Sequence, residues 1–93
     1  MTSVEFASNL RAALSDAPDP GLGRRWEVTR QGCCMLRERD RILGWLEPAE
    51  AGWNVFAEQR FGFLGLRWRA VDCTSHDPRV AMQAILDALG AES

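Results

Sequence analysis

The sequence predicts an α+β fold, a two-layer sandwich in which an antiparallel meander sheet of four to five strands carries an N-terminal and a C-terminal helix on one face. Three observations lead there. Apolar residues recur at helical spacing only near the two ends. The middle alternates apolar and polar residues with period two. The connections between those alternating runs are too short for parallel crossovers.

The first helix is expected from Thr2-Ser3-Val4-Glu5, which fits a capping box with Thr2 as the cap. Phe6, Leu10, Ala13 and Leu14 then share one face, and Ala17-Pro18-Asp19-Pro20-Gly21 cannot continue the helix. Five extended runs follow. Trp26, Val28 and Arg30 alternate with Glu27 and Thr29 as far as a turn at Gln31-Gly32. Cys33 to Glu38 and Ile42 to Glu47 flank a charged turn at Arg39-Asp40-Arg41, and Pro48 to Gly52 is read as a break. Trp53, Val55 and Ala57 define a fourth run, and Leu66 to Val71 a fifth. The second helix opens at Asp77 as N-cap with Pro78 in the first helical position. It presents Ala81, Ala84, Ile85, Ala88 and Leu89 on one face, with Gly90 as the C-cap.

The 93 residues suit a single domain, 1–93, with a modest core. No apolar run approaches the roughly 20 residues of a membrane span. The opening residues carry neither the basic start nor the apolar stretch of a signal peptide, so the expected location is the cytoplasm, with the three cysteines reduced.

All eleven basic residues are arginine, a planar and permanently charged fork suited to carboxylates, phosphates and aromatic faces. The net charge of −2 argues against a dedicated nucleic-acid binder. The distribution is uneven. Between Arg24 and Arg69 there are nine arginines against six acids, and outside that stretch two against seven.

Catalytic and metal-binding signatures are weak. Cys73 and His76 have a spacing that zinc accepts, and Cys33-Cys34 supply further thiols. Adjacent cysteines on a strand point to opposite faces, however, which leaves three ligands where a structural zinc wants four. Nothing around Cys34 resembles a nucleophile signature, and it reads as a small core residue. Gly21-Leu22-Gly23 precedes a strand, whereas phosphate cradles lie between a strand and a helix. The expectation is a non-enzymatic domain with no cofactor and no metal.

Binding signals are stronger. Arg60-Phe61-Gly62-Phe63-Leu64-Gly65 places aromatics in a glycine-punctuated connection, where loops are normally polar; such a loop either folds back as a lid on the core or protrudes as a contact. In Arg67-Trp68-Arg69, a tryptophan packed under a helix would leave both arginines on an open sheet face, joined by Arg37 and with Trp45 or Trp53 nearby. Four tryptophans are more than a core this small needs, so one or more should be partly exposed.

In element order the chain resembles the double-stranded-RNA-binding domain. It carries extra strands and has only Arg79 at the start of its last helix, so that family's RNA-binding residues do not carry over. In size, charge and want of a catalytic set it also resembles the small inhibitor proteins of phages and mobile elements, anti-CRISPR proteins among them.

The expected function is therefore protein binding, as an inhibitor, adaptor or accessory subunit, through Arg60, Phe61, Phe63, Leu64, Arg67, Arg69 and Arg37. The alternative is nucleic-acid binding by an arginine and tryptophan sheet face. Homodimerisation through an open sheet face is compatible with both.

Overall fold

The computed structural model describes residues 10–50, 52–60 and 65–91. The capping box at Thr2 to Glu5, Phe6, and the loop residues Phe61, Phe63 and Leu64 lie outside them. The expected α+β sandwich is present. Five strands, β1 (Arg24–Val28), β2 (Cys34–Glu38), β3 (Arg41–Ala49), β4 (Gly52–Arg60) and β5 (Leu66–Val71), pair in sequence order as one antiparallel sheet. Helical residues 10–13, tightened into a 3-10 turn at Leu14–Asp16, precede the sheet, and the helix α1 (Pro78–Ala91) follows it.

One side of the sheet holds the core. Cys34, Leu36, Leu46 and Val55 pack with Leu10 and with Ala81, Met82 and Ile85 of α1. Both helical segments thus share one face of the sheet. Trp26 and Trp53 belong to the same side, and each settles its indole N–H on a backbone carbonyl. Trp26 Nε1 donates to Pro18 O and Trp53 Nε1 to His76 O, each at 2.9 Å. These bonds tie the loops flanking the sheet to its two inner tryptophans.

The strands meet the helix closely at Gly44. A Cβ built there would stand 2.6 Å from Ile85 Cγ2 and 2.8 Å from the Phe56 carbonyl oxygen. Only glycine fits without movement. Beside it the β2–β3 register shifts, with Leu36 opposite Gly44 but Arg37 opposite Ile42. The extra residue, Leu43, is buried in the core. The bulge thereby lets consecutive residues Leu43 and Gly44 both serve the inner side.

Three expectations are corrected in detail. Pro48 does not break the chain, since β3 continues through it to Ala49, with Pro48 opposite Trp53. β2 has already ended its pairing at Cys34–Leu46, so at Pro48 one flank of β3 has no ladder for a missing N–H to interrupt. The inner stripe of α1 uses Met82 where Ala84 was expected. Gly90 lies within α1 and does not end it. The helix start is as read. Arg79 N–H donates to Asp77 Oδ1 at 3.0 Å, and Asp77 N–H donates to Ser75 Oγ at 3.1 Å.

Candidate functional site

The side of the sheet away from the helices carries the most distinctive chemistry. Residues directly opposite one another on neighbouring strands share a face. One row runs Glu27, Met35, Trp45, Phe56 and Ala70 across all five strands. Two residues further along, β1 and β2 carry Arg25 and Arg37, opposite one another, and β4 and β5 carry Glu58 and Trp68, also opposite one another.

The centre of this face is aromatic. Trp45 stacks on Phe56 with ring centroids 4.8 Å apart and 28° between planes. Trp68 meets Trp45 edge to face at 4.5 Å and 69°. Such pairs contribute about 0.5–1.5 kcal/mol beyond the area they bury. Trp68 nevertheless remains 38% exposed, among the few large apolar side chains that do.

Charged groups on this side hold one another, three arginines on two carboxylates. The Glu27 carboxylate is held between two arginines, Arg25 Nε at 2.8 Å and Arg37 Nε at 2.9 Å. Glu58 is paired with Arg41 Nη2 at 2.7 Å, its own side chain only 9% exposed. The more exposed Glu27 pairs add little stability, but they hold the long arginine side chains in place around the aromatic centre.

The placement of the arginines corrects the sequence reading. Trp68 was expected beneath a helix with Arg67 and Arg69 on the open side. The register does the opposite. Trp68 pairs with Glu58 on the open side, whereas Arg69 pairs with Ala57, a fully buried residue of the helix side, and Arg67 follows two residues away. Arg69 Nη2 donates to the Ala88 carbonyl near the end of α1 at 3.4 Å. The physical reason is the position of β5. The helix lies mainly across β3 and β4 and reaches β5 only at its margin. There an arginine stem lies along apolar surface while its head reaches helix carbonyls or water. Arg37 is on the open side, so Arg37, Arg67 and Arg69 do not form one basic face. Arg60 ends β4, paired with Leu66.

Phe56 and Met35 had not been singled out, and Trp45 was noted only as a neighbour of the arginines. Their common signal is period-two alternation with large apolar residues on both sides of β2, β3 and β4. Trp53, offered as an alternative neighbour, is in the core.

The cysteines are free thiols. Burial pushes the Cys34 thiol up to about 12, with the neighbouring Cys33 adding to the effect. A thiol so hard to ionise suits packing and not nucleophilic attack. Cys73 Sγ lies 4.0 Å from the Ser75 carbonyl oxygen, and His76 is exposed. Among the described residues, no group of three or more His, Cys, Asp or Glu is placed to hold a metal ion, and no helix is long and apolar enough to cross a membrane.

No protein family, no curated protein and no solved structure matches this chain.

Proposed function

We propose that this is a non-enzymatic protein-binding domain, a small inhibitor, adaptor or accessory subunit, that docks through the sheet face opposite its helices. One observation carries the reading. Trp45, Phe56 and Trp68 form a single aromatic patch there, bordered by three arginines that share two carboxylates. Aromatic residues and arginine are the types enriched at the centres of protein interfaces, where isolated charges are depleted. A single strand of nucleic acid would instead need a row of uncompensated arginines beside the stacking rings, whereas each arginine here already holds a carboxylate, Glu27 being shared by two. Arg67 and Arg69 lie on the far side of the sheet from those rings. The loop at Phe61, Phe63 and Leu64 joins β4 to β5 and remains part of the proposed contact.

The test is capture by the tagged domain from lysate, with and without nuclease, compared with Trp68→Glu and with the Phe61/Phe63 double-alanine variant. A nuclease-resistant protein lost in Trp68→Glu is the expected result. Capture indifferent to Trp68→Glu removes the face from the reading, and a partner lost on nuclease treatment moves it to nucleic acid.

A further inference from the structure

We draw no further inference here: the strongest candidate, the aromatic patch of Trp45, Phe56 and Trp68 on the outer face of the sheet, belongs to the docking surface already described, and nothing in the structure shows what covers it.

Discussion

Glu58 and Trp68 are direct cross-strand partners on the outer side of the sheet, the carboxylate buried against Arg41 and the indole still open to solvent. This pairing fixes which way β5 faces. It brings Trp68 to Trp45 and Phe56 and turns Arg67 and Arg69 toward the helix margin.

Trp68→Ala and Trp53→Phe should separate the two sides of the sheet. Trp53 is buried, and losing its N–H leaves the His76 carbonyl short of a partner, at a cost of about 1–2 kcal/mol in urea unfolding. Trp68 is partly exposed, so its truncation should cost less than the ~3–5 kcal/mol of a fully buried aromatic. A Trp68→Ala cost in that upper range would mean that the indole is a core element.

Gly44→Ala should destabilise the fold by about 1–3 kcal/mol, since its methyl group has to displace Ile85 or the β4 backbone. Ile85→Ala removes the nearest obstacle. The double variant should therefore cost less than the sum of the single changes, a non-additivity that a double-mutant cycle reads directly.

Asp77 gives a pH-dependent contribution of known sign. Its side-chain and backbone hydrogen bonds from Arg79 hold the carboxyl below its ordinary value. A depressed folded-state value means that the contribution is fully present above the unfolded pKa of about 3.9 and is lost as pH falls through the folded one. Asp77→Ala should cost about 1 kcal/mol at neutral pH, whereas Asp77→Asn keeps most of the cap. The difference between wild type and Asp77→Asn should shrink on acidification below pH 4, as followed by thermal melts.

Cys34 should resist alkylation in the native protein at mildly alkaline pH, because its thiol is raised to about 12 and the residue is fully buried. Cys33 and Cys73 are partly exposed and should label first. Mass spectrometry of peptides should find Cys34 modified only after denaturant is added. Rapid native labelling of Cys34 would mean that the β1–β2 end of the sheet opens readily.

Much of this architecture is written in local pattern. The β5 boundaries and the Asp77-Pro78 helix start follow from alternation and capping chemistry that neighbouring residues determine among themselves. The facing of β5 does not. Arg67-Trp68-Arg69 specifies two opposite faces but not which one meets the helix, because an arginine stem and an indole can each line a core margin. The Leu43 bulge is equally hidden, since it depends on how far β2 extends beside β3. The aromatic patch needed the register of three strands before Trp45, Phe56 and Trp68 could be seen as neighbours.

The division of the tryptophans has a practical consequence. Trp26 and Trp53 are anchored by hydrogen bonds to carbonyls on one side, and Trp45 and Trp68 stack on the other. Replacing either pair with phenylalanine leaves two indoles whose emission answers a single question. The inner pair signals whether the chain is folded, and the outer pair signals whether something has come to rest on the sheet.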